Sequence, residues 1–101
     1  MRNVLVIDDD VAIQKVLSVA LEADDSIDQV KVVSSGSDAL SIETDFVPDV
    51  VVLDFFMPRW DGSKAAEFIR ARCPRSKIIA FSAVLQEPPA WADDFLVKND
   101  V

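Results

Sequence analysis

Two short apolar runs that end abruptly in aspartate constrain the fold of this chain more than any other feature of its sequence. Residues 4–7 (VLVI) precede three consecutive aspartates at 8–10, and residues 50–53 (VVVL) precede Asp54. Uninterrupted apolar runs of this kind are typical of strands that are buried on both faces of a sheet. The sequence therefore predicts a sheet covered by helices, with acidic side chains where two of its strands end.

Further strands and helices alternate along the rest of the chain. Three more strands are predicted, at residues 29–33, 77–81 and 95–97. Helical spacing of apolar residues predicts helices at 11–21, 38–45 and 64–73, and Asp10 is suited to be the N-cap of the first. Five strands that alternate with helices predict an α/β fold, an open parallel sheet with helices on both faces. The flavodoxin-like strand order 2-1-3-4-5 would place the first and third strands side by side.

Composition excludes several classes of protein. The 101 residues suit one domain, and 18 acidic against 10 basic residues give a net charge of −8, which argues against binding to nucleic acid or to an anionic membrane surface. Since His is absent, His-based zinc sites and Ser/His or Cys/His catalysis are excluded. Cys73 is the single cysteine, and no apolar run approaches the length of a membrane span, so we expect a cytoplasmic protein.

Polar side chains stand at the end of four predicted strands. They are Asp8 and Asp9 after the first, Asp54 after the third, Ser82 after the fourth and Lys98 after the fifth. Because ligands of open α/β sheets bind beyond the carboxyl ends of the strands, we expect these side chains to surround one site. Two carboxylates about 4 Å apart repel by about 4 kcal/mol at an effective dielectric constant of about 20. A divalent cation offsets this repulsion, and an all-oxygen site of this kind suits Mg²⁺.

A carboxylate in such a site can act as a nucleophile and accept a phosphoryl group. Phosphoryl transfer depends mainly on positioning and charge stabilisation, which Mg²⁺, Lys98 and the Ser82 hydroxyl would provide. Asp54 is the best candidate nucleophile because it follows the central strand. The structural alternative is that the aspartates at 8–10 only cap a helix and that Lys98 is a surface lysine. Polar residues at all four strand ends favour the site.

The order of these motifs resembles the receiver domain of two-component response regulators. Residues 6–10 (VIDDD) resemble the first acidic motif of that family, and residues 54–62 (DFFMPRWDG) resemble its phosphoacceptor motif D-x-x-M-P-x-x-D-G. Ser82, followed by a small residue, resembles the switch Ser/Thr of the family. Phe95 and Lys98 resemble its switch aromatic residue and its lysine. The resemblance covers nearly the whole chain.

The resemblance implies a role for each of these residues. Asp54 would accept the phosphoryl group from a phosphohistidine of a histidine kinase or phosphotransfer protein. The implied ligands of Mg²⁺ are Asp9, Asp54, the backbone carbonyl of Phe56 and, through water, Asp8. Ser82 and Lys98 would hold the phosphoryl group, and Phe95 would change rotamer together with Ser82. The alternative for Phe95 is a plain core position.

The function implied is a signalling module that acts through protein contacts, and not an enzyme beyond assisting its own phosphorylation and dephosphorylation. Phe56 places a bulky apolar side chain two residues after the acceptor, which should restrict the attacking water, so we expect slow dephosphorylation. Phe56→Asn should shorten the half-life of the phosphorylated protein several-fold, and equal half-lives would contradict this. The alternative function is a receiver-like binding or oligomerisation module that phosphate does not switch.

Two helices of the family are expected to be reduced in this chain. Residues 83–93 form a short connection that contains Pro88 and Pro89, so the fourth helix of the family should be very short or replaced by a loop. The chain ends three residues after Lys98, so its fifth helix is expected to be missing. Residues 1–101 would thus form a single receiver domain that is short at its C-terminus.

The missing fifth helix implies an uncovered face of the sheet. Right-handed crossovers place the first helix on one face and the following helices on the other. The first helix would then cover its face alone and leave apolar residues of the third to fifth strands bare. Because large apolar patches usually mark interfaces, we expect a homodimer or exchanged segments through this face, unless the chain is cut from a longer one.

Overall fold

The structure is a computed structural model, and it describes residues 2–35, 46–54, 62–82, 87 and 89–97. Its elements are β1 (Arg2–Ile7), α1 (Val11–Glu22), β2 (Ile27–Val33), β3 (Val50–Asp54), α2 (Gly62–Arg72), β4 (Lys77–Ser82) and β5 (Asp94–Val97). The strands form one parallel sheet in the order β2-β1-β3-β4-β5. The predicted flavodoxin-like order is therefore confirmed, whereas the helix predicted at 38–45 lies outside the described residues.

Side chains of a strand alternate in direction, so each central strand contributes to an apolar cluster on each face of the sheet. Val4 and Val6 of β1 pack in one apolar cluster with Leu17 of α1. Leu5, between them, belongs to a second cluster that contains Ile69 of α2. The two helices thus lie on opposite faces of the sheet, as right-handed crossovers require.

The start of α1 is fixed by Asp10. Its carboxylate oxygen Oδ1 accepts hydrogen bonds from the backbone N–H groups of Ala12 at 2.9 Å and Ile13 at 3.3 Å, as predicted for an N-cap. Apolar residues at 13, 17 and 21 then face the sheet. Because the cap is the last residue of the acidic run at 8–10, it also fixes where the loop after β1 ends.

Arg70 of α2 ties the edge strand β5 to the rest of the fold. Its guanidinium donates to the carbonyls of Ser76 at 3.3 Å and Trp91 at 3.1 Å, and to Oδ2 of Asp93 at 3.1 Å. The same Asp93 oxygen accepts from the backbone N–H of Ile78 at 2.9 Å, and the Asp93 N–H donates to the Ile78 carbonyl at 2.8 Å. Because β5 has only four residues, these bonds decide where it joins the sheet.

The stability contributed by Asp93 should depend on pH. The Ile78 N–H, and secondly Arg70, lower the pKa of the Asp93 carboxyl from its ordinary value of 3.8. A lowered pKa in the folded state means that the contribution is present above the unfolded value and is lost as the pH falls through the folded one. Since the pair is exposed to solvent, we expect Asp93→Asn to lower the free energy of unfolding near pH 7 by no more than about 1 kcal/mol.

Urea unfolding of the wild type and of Asp93→Asn at about pH 7 and about pH 3 measures this contribution. The difference between the two proteins should shrink at the lower pH. Asp28→Asn, at an exposed position of β2, is the matched control and should have little effect at either pH. A difference between the wild type and Asp93→Asn that is the same at both pH values would contradict the assigned role of the charge.

The face under α1 is less bare than the sequence predicts. Val52 of β3 is 6% exposed and Phe81 of β4 is fully buried, so the expectation of bare residues is wrong for both. The reason is that both lie in the apolar cluster that contains Leu17 of α1. Among the described strand residues, the large exposed hydrophobic side chain is Leu96 of β5, at 46%. Self-association through this face stays a prediction, and sedimentation that shows a stable monomer would contradict it.

The connection from β4 to β5 has no helix among its described residues, 87 and 89–93. This agrees with the fold class predicted, in which the fourth helix of the family is reduced. Within the described ranges, neither helix has the length and apolar character needed to cross a membrane.

Candidate functional site

The carboxyl ends of β1, β3 and β4 lie next to one another. Ile7, the last residue of β1, pairs with Leu53 of β3, and Asp54, the last residue of β3, pairs with Phe81 of β4. Neighbouring strands lie about 4.8 Å apart. Asp8, the first residue after β1, therefore follows its strand beside Asp54.

Three carboxylates converge at this edge of the sheet. Asp8, Asp9 and Asp54 each offer one oxygen, and these oxygens all lie within 4.8 Å of one another. Asp8 and Asp54 are buried, at 1% and 4% exposure, whereas Asp9 is exposed. The sequence predicted this convergence from strand ends that are separated by more than forty residues. Since buried carboxylates are costly without compensation, the cluster requires groups that offset its charge.

Backbone hydrogen bonds shape the loop that carries two of these carboxylates. The Asp8 N–H donates to the carbonyl of Val33 at 3.1 Å and so extends the pairing of β1 with β2 by one residue. Oδ1 of Asp8 accepts from the N–H of Asp10 at 2.9 Å. The loop is therefore tied to β2 on one side and to the cap of α1 on the other.

Ser82 stands at the same edge of the sheet, one residue beyond the strand partner of Asp54. It is 3% exposed and ends β4. Its own strand partner is Val97, the last residue of β5. Phe95 lies two residues earlier on β5, is half-buried and pairs with Ala80. The hydroxyl predicted for the site is thus at the expected edge, and the predicted switch aromatic is on the neighbouring strand.

Two of the predicted site residues, Phe56 and Lys98, lie outside the described residues. Lys98 follows Val97 directly in the sequence. The roles implied for the Phe56 carbonyl and for the Lys98 ammonium therefore stay predictions.

The carboxylate cluster fits a hard divalent cation. Mg²⁺ binds oxygen ligands, keeps several waters and is usually held by one or two carboxylates together with phosphate oxygens. The cluster contains neither His nor Cys, which softer metals prefer. A cation there would also offset the repulsion among the three carboxylates. The donors present therefore suit Mg²⁺.

Sequence reasoning missed Gln14. Its side-chain nitrogen donates to the backbone carbonyl of Asp8 at 2.5 Å and to Oγ of Ser34 at 3.2 Å. The available signal was a polar residue next to Ile13 in the first turn of a helix whose apolar residues face the sheet. Periodicity alone places such a residue at the edge of the apolar face of the helix, and only the structure shows which groups it contacts.

Comparison with known proteins now identifies the fold family. The family model described as the response regulator receiver domain matches residues 4–99 of the chain. The chain belongs to this family. The resemblance drawn from the motifs is therefore confirmed, and the three clustered carboxylates lie within the matched residues.

Curated relatives of this receiver domain are longer proteins. The protein-glutamate methylesterase/protein-glutamine glutaminase 2 of Pseudomonas fluorescens (strain Pf0-1) is 36% identical over 105 residues, which cover 96% of this chain and 28% of that protein. The chain thus spans less than a third of the length of this relative.

Solved receiver structures match nearly the whole chain. The response regulator protein TrrA from Thermotoga maritima in complex with Mg(2+)-BeF has a TM-score of 0.81 and 28% identity, covering 97% of this chain and 87% of that chain. The structure of the histidine kinase ThkA in complex with TrrA matches with a TM-score of 0.80 and 27% identity, covering 97% of this chain and 86% of that chain.

Proposed function

We propose that this receiver domain accepts a phosphoryl group on Asp54 from the phosphohistidine of a histidine kinase or phosphotransfer protein, in a reaction that requires Mg²⁺. The observation that carries the proposal is the convergence of Asp8, Asp9 and Asp54 within 4.8 Å. The TrrA structures with Mg(2+)-BeF and with a histidine kinase support both the chemistry and the class of partner.

The transfer is a single displacement at phosphorus. A carboxylate oxygen of Asp54 attacks the phosphorus atom, an O–P bond forms as the P–N bond to the partner's imidazole breaks, and the leaving nitrogen takes a proton from solvent. Asp54 ends the central strand β3, so its oxygen is held by a rigid element. Asp9, Asp54, the Phe56 carbonyl and, through water, Asp8 would hold Mg²⁺, which would supply positive charge to the phosphoryl group.

The other phosphoryl oxygens are assigned to the neighbouring strand ends. The Ser82 hydroxyl would donate a hydrogen bond to one, and Lys98 would interact with another as a mobile point charge. The product places a new dianion beside Ser82 at the end of β4. Such a local change of charge biases a segment that has two arrangements, and Phe95 on β5 changes rotamer with Ser82 in this proposal. Output then passes through contacts with other proteins.

Net charge and cysteine content indicate which partners are disfavoured and in which compartment the domain works. A net charge of −8 disfavours direct binding to nucleic acid and to anionic membranes. Cys73 is a free, half-buried thiol, which is typical of a reducing compartment, so we assign the domain to the cytoplasm.

Phosphorylation by a small donor tests the proposal without a cognate kinase. The protein is incubated with acetyl phosphate and Mg²⁺, and its intact mass is measured. We expect a gain of one phosphoryl group that EDTA prevents and that hydroxylamine removes, as an acyl phosphate requires. A folded protein that gains no mass would overturn the proposal, and retained Mg²⁺ binding in that case would favour the binding or oligomerisation module.

A further inference from the structure

The Gln14 side chain joins three segments of the receiver domain. Gln14 is half-buried in the first turn of α1. Its nitrogen Nε2 donates to the carbonyl of Asp8 in the loop after β1 and to Oγ of Ser34, directly after β2. A side-chain amide nitrogen carries two donor hydrogens, so these two contacts use both. One side chain thus holds the first helix and two strand ends in a fixed relation.

The contact with Asp8 replaces a strand hydrogen bond. β1 ends at Ile7, so the Asp8 carbonyl is the first one beyond the strand. The N–H of the same residue is held by Val33 of β2, and its carbonyl is held by Gln14. Both backbone groups of Asp8 therefore have partners on separate elements. The Val33 contact restrains the peptide between Ile7 and Asp8, and the Gln14 contact restrains the peptide between Asp8 and Asp9, because the Asp8 carbonyl is part of that second peptide.

That peptide plane matters because Asp9 is the exposed member of the carboxylate cluster. Asp8 and Asp54 are buried on or next to strands, whereas Asp9 depends on the loop for its position. The carboxylates repel one another in the absence of a cation. A loop without the Gln14 contact can relieve this repulsion by turning Asp9 away, and binding of a cation must then reverse that movement.

We propose that Gln14 is a positioning residue that holds the peptide between Asp8 and Asp9 and so raises the Mg²⁺ affinity of the site. This inference rests on the proposed function, since it requires that the cluster binds Mg²⁺. Partners that orient metal ligands in this way typically change metal affinity by about 10- to 100-fold.

Gln14→Met tests the role, because it keeps the length of the side chain and removes both donor hydrogens. We expect isothermal titration calorimetry to give a Kd for Mg²⁺ about tenfold higher than that of the wild type. Ser34→Ala removes only the longer contact and should raise the Kd less. Gln29→Met, the same substitution at an exposed position of β2, is the matched control and should leave the Kd unchanged.

Two further readouts separate positioning from a general effect on folding. A contact that only stabilises the fold would lower Tm equally with and without Mg²⁺, whereas a positioning contact also reduces the rise in Tm that saturating Mg²⁺ produces. Amide hydrogen exchange at Asp9 and Asp10, measured without Mg²⁺, should be faster in Gln14→Met. Equal Kd values and equal exchange rates would overturn the role of Gln14 and leave the proposed function intact. A wild-type protein that binds no Mg²⁺ would overturn both.

Discussion

Asp54→Asn is expected to abolish phosphoryl acceptance, with no mass gain from acetyl phosphate and Mg²⁺ under conditions that fully modify the wild type. The amide keeps the size of the side chain but lacks the anionic oxygen that attacks phosphorus. Asp54 is 4% exposed at the end of the central strand, and the three clustered oxygens place it beside the other carboxylates. Asp8 is also buried and shares this neighbourhood, but it follows β1 in the loop, whereas Asp54 is the last residue of the central strand β3.

The measurement is intact-mass spectrometry followed by peptide mapping of the modified wild type. Asp28→Asn, on the exposed surface of β2, is the control and should be modified as fully as the wild type. Near-ultraviolet circular dichroism of both variants verifies that the fold is retained. Modification of Asp54→Asn to the level of the wild type, or mapping of the group to another carboxylate, would refute the assignment of the acceptor.

Phe81→Ala is expected to lower the free energy of unfolding by about 3–5 kcal/mol, as truncation of a buried aromatic side chain usually does. The Phe81 ring is fully buried in the cluster beneath α1, and Phe81 is the strand partner of Asp54. A domain of this size has a total stability of about 5–15 kcal/mol. The substitution should therefore remove a large part of it, and urea unfolding with a common m-value measures the change.

Leu96→Ala provides the matched comparison on the neighbouring strand. Leu96 pairs with Phe81 across β4 and β5, so both side chains leave the same face of the sheet, but Leu96 is 46% exposed. Its truncation should cost less than about 1 kcal/mol, because little apolar area is lost from the interior. If the two variants lost similar amounts of unfolding free energy, the assigned difference in burial between Phe81 of β4 and Leu96 of β5 would be wrong.

The sheet and its order were predictable because the signals are local and strong. Runs such as residues 50–53 have no polar alternation, and Pro74 marks the end of the second described helix. The first residues of the strands were predicted less accurately: β1 and β2 each begin two residues before the predicted start. The extra residues are polar or partly exposed, so hydropathy does not reveal that the backbone continues to pair.

The carboxylate cluster was predictable since it depends only on strand order. Once β1 and β3 are neighbours and parallel, Asp8 and Asp54 must meet at one edge. The contacts of Gln14 and Arg70 were not predictable in this way. Each joins segments that are distant in sequence, such as Arg70 and Asp93, and depends on side-chain rotamers that the sequence pattern does not encode.

The burial of Phe81 shows a different limit of prediction. The handedness of the crossovers correctly predicts that α1 and α2 lie on opposite faces of the sheet. How far one helix shields a sheet depends on where its axis lies over the strands, and no spacing rule supplies that position. The prediction of a bare face therefore failed at Val52 and Phe81 and remained valid at Leu96.

Binding of one divalent cation by Asp8, Asp9 and Asp54 together can be observed with Mn²⁺ in place of Mg²⁺. In amide NMR spectra, substoichiometric Mn²⁺ should first broaden the signals of Asp8, Asp9 and Asp54, and excess Mg²⁺ should restore them. The acidic turn after α1, with Asp24 and Asp25, lies at the opposite end of β1, about 20 Å away, and its signals should persist longest. Broadening that begins at that turn, or that spreads evenly over the acidic surface, would contradict a shared cation at the strand ends.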